Sequence, residues 1–309
     1  MKLLPIPAVR RGARVHVISP ASYPKPDRLA GGVDALTRLG YLPAVGKQAL
    51  SKANHYFAGS TQARLEDLNN AFLDPAGAAI FCSRGGYGCN YLLPKLDLGL
   101  LREHPKPLIA HSDMTCMQTW LLDQIGLISF HGPMVAGDFS RSDGVDESSL
   151  QSALGGERYF VGEATGLRTL IPGKAAGVLY GGCITLLAAS LGTPYAPKTE
   201  GKLLFLEDRD VKPYQLDRLL RQLILAGKFE GVTGIIFGEM IDCIAPGQNP
   251  NMLDEVILRV LDWFQGPIAI GLRSGHTTRG SVTLAFGIHA ELDLVRAPLL
   301  SFTERATEK

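Results

Sequence analysis

Short apolar runs alternate with stretches of helical periodicity through the first half of the chain. Strand-like runs are predicted at RVHVIS (14–19), near YLPAVG (41–46), at AAIFCS (78–83), KPLIAH (106–111) and LISFHG (127–132). Between them, helical spacing is predicted over 27–40, over 62–73 behind a capping Ser60, through NYLLPKL (90–96), and over 114–126. Strands separated by helices in this way imply a parallel sheet with crossover helices. From about 134 to 173 the sequence turns polar and glycine-rich, and the alternation lapses. It resumes with GVLYGG (177–182), an apolar helix ITLLAASLG, a strand KLLFLED (202–208) and an amphipathic helix from Tyr214 to Phe229. The strand TGIIFGEM, a helix over 254–264, the strand IAIGLRSG and a β-rich tail to Thr303 complete the pattern. The division expected is a domain at 1–155, a linker at 156–173 and a second α/β domain at 174–309, a length suited to two medium cores.

Thirty-one basic against 30 acidic side chains give a net charge of +1 with no basic run, which argues against a nucleic-acid or membrane-surface partner. No apolar run approaches the ~20 residues of a membrane span. Prolines and Arg10–Arg11 interrupt the N-terminal stretch before a signal-peptide core forms, so a cytoplasmic protein is expected. The five cysteines lack a CxxC pair, which fits buried thiols in a reducing compartment better than a metal cage or a disulfide framework.

Four segments carry candidate chemistry. PLIAHSDMT (107–115) runs an apolar strand straight into a helix and exposes Ser112 at the turn, where open α/β sheets place their sites. SRGGYG (83–88), after another strand, lets backbone amides approach a substrate closely. LFLED (204–208) ends a strand on Glu207 and Asp208, and His276 follows a glycine in GLRSGHTTRG (271–280). Each alone is unremarkable: a helix cap, a glycine turn, solvated acids, a loop histidine. Together they supply a nucleophile, a base, an orienting acid and an oxyanion loop, the parts that acyl transfer by serine requires.

At these residues the chain resembles the LD-carboxypeptidase family, which includes the microcin-immunity peptidases. The likeness extends through VISPAS (17–22), CSRGGYG (82–88), HSDMT (111–115), FHGPM (130–134), YGGCITLL (180–187), LFLED with PYQLDR (204–208, 213–218), the Gly275–His276 pair and TLAFG (283–287). The resemblance implies a flavodoxin-like N-terminal domain, a smaller β-rich C-terminal domain, and a groove between them. It implies Ser112 as nucleophile, His276 as base, Glu207 orienting His276, and the Asp113 and Gly86 amides as the oxyanion hole. Neither metal nor organic cofactor is implied; a homodimer is. The implied substrate is a murein tetrapeptide cut between meso-diaminopimelate and terminal D-Ala. Arg84 and Arg279 are the candidates for its free carboxylate. The alternatives are a peptidase that detoxifies a peptide–nucleotide antibiotic and a murein-fragment sensor without turnover. His111 and Cys183 depart from the residues usual in the family.

Overall fold

A computed structural model describes residues 2–308. The first sheet is built from β1 (Arg14–Ile18), β2 (Leu42–Val45), β3 (Gly77–Cys82), β4 (Leu108–Ala110) and β5 (Ser129–His131), all parallel, in the order β2-β1-β3-β4-β5. This is the flavodoxin-like doubly wound order, with its topological switch between β1 and β3. Helices α1 (Pro26–Arg38), α2 (Thr61–Leu73), α3 (Leu98–Glu103) and α4 (Thr115–Ile125) make the crossovers. Local sequence sets these elements. The Ser60 hydroxyl accepts the Ala63 amide at 3.1 Å to start α2, a cap of about 1 kcal/mol, and Leu65, Leu68 and Phe72 then fall on one buried stripe.

The helix expected at NYLLPKL is instead two 3-10 turns, Cys89–Tyr91 and Leu93–Lys95. Pro94 lacks the amide that a continuous helix would need there. The helix that does form, α3, begins at Asp97, whose carboxylate accepts the Gly99 and Leu100 amides.

After α5 (Glu147–Leu154) the chain enters a second sheet containing β6 (Tyr159–Gly162), β7 (Arg168–Ile171), β8 (Lys174–Cys183), β9 (Lys202–Glu207), β10 (Gly234–Gly238), β11 (Ile268–Leu272), β13 (His289–Asp293) and β14 (Leu299–Phe302). Its order is β6-β14-β13-β8-β9-β10-β11-β7. The central β8 to β11 are parallel, with α6 (Ile184–Ala189), α7 (Pro213–Leu225) and α8 (Met252–Val260) in the connections. Two features depart from the sequence reading. The stretch 156–173 is more than a linker: its two four-residue strands, β6 and β7, form opposite edges of this sheet, and their half-exposed positions leave no apolar run to read. In addition, β12 (Leu284–Phe286) crosses back to pair antiparallel with β5 in the first sheet.

That crossing ties the halves together. One apolar core holds Ile80, Ile109 and Phe130 of the first sheet together with Phe205, Leu284 and Phe286 from the second half. A second core, with Ile235, Phe237 and Leu216, lies under α7 and α8. The carboxyl ends of β1, β3, β4 and β5 and those of β9 and β11 therefore meet on one side of the molecule. No helix among the described residues is long and apolar enough to cross a membrane.

Candidate active site

The meeting strand ends border a cleft of about 540 Å³, whose walls include Arg84, Gly85, Gly86, His111, Ser112, Asp138, Arg141 and His276. β4 leads into extended His111, and Ser112 follows at φ +61° before a 3-10 turn passes into α4. A non-glycine residue in this left-handed region costs about 1–2 kcal/mol. Such strain, held by the surrounding strand and helix, presents the Ser112 side chain on a sharp strand-to-helix turn.

The glycine loop after β3 lies against that turn. A Cβ on Gly85 would fall 2.8 Å from Ser112 Cβ and 3.2 Å from the Asp113 nitrogen. Gly86 has φ +97°, and a Cβ there would lie 2.5 Å from the Ser22 hydroxyl, so both positions need glycine for the loop to pass. Two buried side chains pin the loop. Asp113 Oδ2 accepts the Cys89 amide at 2.8 Å, and Arg64 Nη1 donates to the Gly88 carbonyl at 2.7 Å. Burial pushes the Asp113 carboxyl up to about 6, against the lowering effect of the Cys89 amide and Arg64. Asp113 thus contributes its side chain to the loop, as well as lying beside Ser112; the sequence offered only its backbone.

Glu207 ends β9, fully buried. Its Oε2 accepts from His276 Nδ1 at 2.7 Å and from the His276 backbone amide at 3.1 Å. Burial would raise the Glu207 carboxyl, but His276 and His131 outweigh it and hold Glu207 well below the usual carboxylate range. Burial likewise pulls the His276 ring down, and Glu207 more than offsets this, so His276 titrates above the ordinary 6.5. The two directions agree: a buried carboxylate favours the imidazolium. Asp208, the neighbouring acid, is used elsewhere. Its Oδ2 accepts the Thr185 amide and hydroxyl at 2.8 and 2.7 Å at the start of α6. No hydrogen bond joins the Ser112 hydroxyl to another group among the described residues, and unliganded sites often tighten only around substrate.

Gly275 lets the histidine loop cross directly over the acid. It has φ +82°, and a Cβ would lie 2.6 Å from His131 Cε1 and 2.8 Å from Glu207 Cδ. Gly275→Ala is expected to lower stability by about 1–3 kcal/mol from φ strain and overpacking, read as a fall in thermal midpoint with reduced turnover. An unchanged midpoint would mean that the loop is free to move aside.

Further groups surround the histidine that sequence spacing did not single out. His111 Nδ1 lies 2.9 Å from the Gly132 carbonyl, and its ring meets His276 edge-on at 5.1 Å. Burial, with His276 adding to it, pushes His111 down to about 3, leaving the ring neutral. Asp138 Oδ1 receives Arg141 Nη2 at 3.1 Å, and Arg141 Nη1 donates to the Thr277 carbonyl at 2.8 Å, fastening the loop after His276 to the first half. Of the two arginines expected near a substrate carboxylate, Arg84 lines the cleft, with Nη1 3.3 Å from the Tyr23 carbonyl. Arg279 is exposed and absent from the cleft wall, because the backbone past Thr277 turns outward toward Glu239, which accepts the Thr278 amide. Lys25, Arg28, Arg141 and Arg209 line the cleft instead.

Residues 15–132 match the LD-carboxypeptidase N-terminal domain and residues 176–292 the LD-carboxypeptidase C-terminal domain. A probable murein peptide carboxypeptidase of Bacillus subtilis is 34% identical over 93% of this chain and 90% of its own length. The chain belongs to the LD-carboxypeptidase family. The microcin C7 self-immunity protein MccF of Escherichia coli is 27% identical over 94% of this chain and 93% of its own. The crystal structure of a muramoyltetrapeptide carboxypeptidase from Oxalobacter formigenes superposes with a TM-score of 0.83 at 26% identity, covering 94% of this chain and 98% of that one.

Proposed function

We propose that the protein is a serine LD-carboxypeptidase that releases terminal D-Ala from murein tetrapeptide, cutting after the L-centre of meso-diaminopimelate. The observation that carries this reading is the Glu207–His276 pair, closed at 2.7 Å, which brings the His276 ring, backed by the buried carboxylate, into the same cleft as the strained Ser112 and its abutting glycine loop. His276 takes the Ser112 proton as the hydroxyl attacks the scissile carbonyl. The amides of Asp113 and Gly86 hold the oxyanion, and Glu207 stabilises the imidazolium. His276 then passes the proton to the departing D-Ala amine. Water repeats the sequence on the acyl-enzyme and returns Ser112. Turnover by these residues sets an enzyme apart from a murein-fragment sensor. Five buried free cysteines accord with a reducing compartment, and we place the reaction in the cytoplasm, on stems recovered from the wall.

A free terminal carboxylate calls for a cation beside the oxyanion loop, and Arg84 stands there. Arg84→Met is expected to cut kcat/KM about 10- to 100-fold for the free-acid peptide and far less for its C-terminal amide. Equal losses on both would remove Arg84 from carboxylate recognition.

The likeness to the microcin self-immunity protein supports a second reading, cleavage of an acyl–nucleotide amide in an antibiotic. Among the described residues none that lines the cleft is Phe, Tyr or Trp, which weighs against a nucleobase stacked on such a ring there. Competing the tetrapeptide against an aminoacyl-nucleotide amide, with release of each product measured, tests the choice. Preference for the peptide is expected, and preference for the nucleotide would reverse it.

A further inference from the structure

Glu207 has two carboxylate oxygens and only one is engaged. Oε2 receives both hydrogen bonds from His276, while Oε1 is buried with no hydrogen-bond partner among the described residues. Facing it at 3.8 Å is Nε2 of His131, at the end of β5, also buried and also without a hydrogen-bond partner. Two desolvated polar atoms left unpaired would each cost the fold free energy, so two complementary ones facing each other in a fully buried site form a pair. At 3.8 Å the contact is too long for a hydrogen bond, and closure by under about 1 Å makes it one.

The other side of the ring is fixed. His131 Nδ1 lies 3.0 Å from the Ser274 hydroxyl, which itself lies 2.8 Å from the Val282 carbonyl. Phe205 and Phe286 flank the imidazole, with ring centroids at 5.0 and 5.2 Å. The Val282 carbonyl can only accept, so the Ser274 hydroxyl donates to it and in turn accepts from His131 Nδ1–H. A hydrogen bond from the same ring to Glu207 then needs a second proton, on Nε2.

We propose that His131 is a positioning residue of the catalytic site, its Nε2–H donating to Glu207 Oε1 so that the carboxylate is gripped at both oxygens between two histidines. It acts through Glu207 on His276 and never touches substrate; the inference rests on the reading of Glu207 as the orienting acid. Besides His131, the titratable and charged groups around this pair are His276, His111, Asp138 with its partner Arg141, Asp208 and Cys183. Among the described residues, the polar group that stands opposite Oε1 is His131 Nε2, at 3.8 Å.

The test pairs His131→Phe, which keeps a flat ring between Phe205 and Phe286, with His131→Gln, which restores an N–H at similar reach. His131→Phe is expected to lower kcat/KM about 10- to 100-fold, the range for groups that orient a site ligand from behind. Loss of the N–H donor to Oε1 leaves the Glu207 carboxylate a stronger partner for the His276 imidazolium, so the acid limb of the kcat/KM profile moves to higher pH. His131→Gln is expected to return both rate and limb toward wild type. A folded His131→Phe protein with wild-type rate and limb overturns the proposal, as does a lower rate with an unmoved limb, the mark of packing alone. Nitrogen-15 NMR of histidine-labelled wild-type protein gives an answer that needs neither substrate nor a folded variant. A proton on His131 Nε2 is expected, and a bare Nε2 at the pH of activity overturns the inference. Absence of peptide hydrolysis by wild-type protein would instead strike the reading of the reaction and leave the NMR result to stand by itself.

Discussion

Ser112→Ala is expected to lower kcat/KM for the tetrapeptide by about 10⁴- to 10⁶-fold, the scale on which serine hydrolases lose activity with their nucleophile. The Oγ proposed to attack is removed, while Glu207, His276 and the glycine loop stay in place. Binding should survive: calorimetric titration of the variant with uncleaved peptide is expected to give an affinity within a few-fold of the wild-type KM. Stability should barely change, because Ser112 Oγ makes no hydrogen bond among the described residues. Substantial residual turnover would show that a different group attacks the peptide bond.

Glu207→Gln carries the second largest effect, and it comes with a direction in pH. The amide keeps the shape of the side chain but removes the charge that stabilises the imidazolium. A loss of about 10²- to 10⁴-fold is expected at the plateau, as in other triads whose acid is made neutral. In the proposed mechanism His276 must be neutral to accept the Ser112 proton. In the wild-type protein its ring titrates above the ordinary 6.5, so kcat/KM should rise with pH through a midpoint on that side. Without the carboxylate the imidazolium gives up its proton more readily, and the midpoint moves down. A pH–rate profile of the variant with an unmoved or raised midpoint would show that Glu207 does not set the charge of His276.

The sequence marks the candidate residues of this site. Each strand that ends in chemistry is a strong apolar run followed by a glycine, a cap or a polar turn, and Ser112, Glu207 and His276 all sit at such ends. The resemblance to the LD-carboxypeptidases implies their roles; in the structure Ser112 and His276 line one cleft, and Glu207 lies buried behind His276. His131 was hidden for a physical reason. It lies inside a buried strand, and its chemistry comes from Glu207, 76 positions away in the chain on a strand of the other sheet. Arg141 was equally hidden, in a polar glycine-rich stretch without periodicity, and its link to the Thr277 carbonyl spans the two halves. Arg279 is a candidate for the substrate carboxylate because it follows the histidine closely, but it is exposed and does not line the cleft, and the Thr278 amide beside it donates to Glu239. Strands β6, β7 and β12 show the same limit on the scale of the fold. Three or four residues at a sheet edge carry too little pattern to be recognised, and only tertiary pairing reveals them.

The most direct measurement is D-Ala release from L-Ala-γ-D-Glu-meso-diaminopimelate-D-Ala by purified wild-type protein, alongside the same peptide ending in L-Ala and the Ser112→Ala variant. The account predicts release of D-Ala by the wild type alone, with none of L-Ala from the control peptide. No release from folded wild-type protein, or release that persists without the Ser112 hydroxyl, would contradict it.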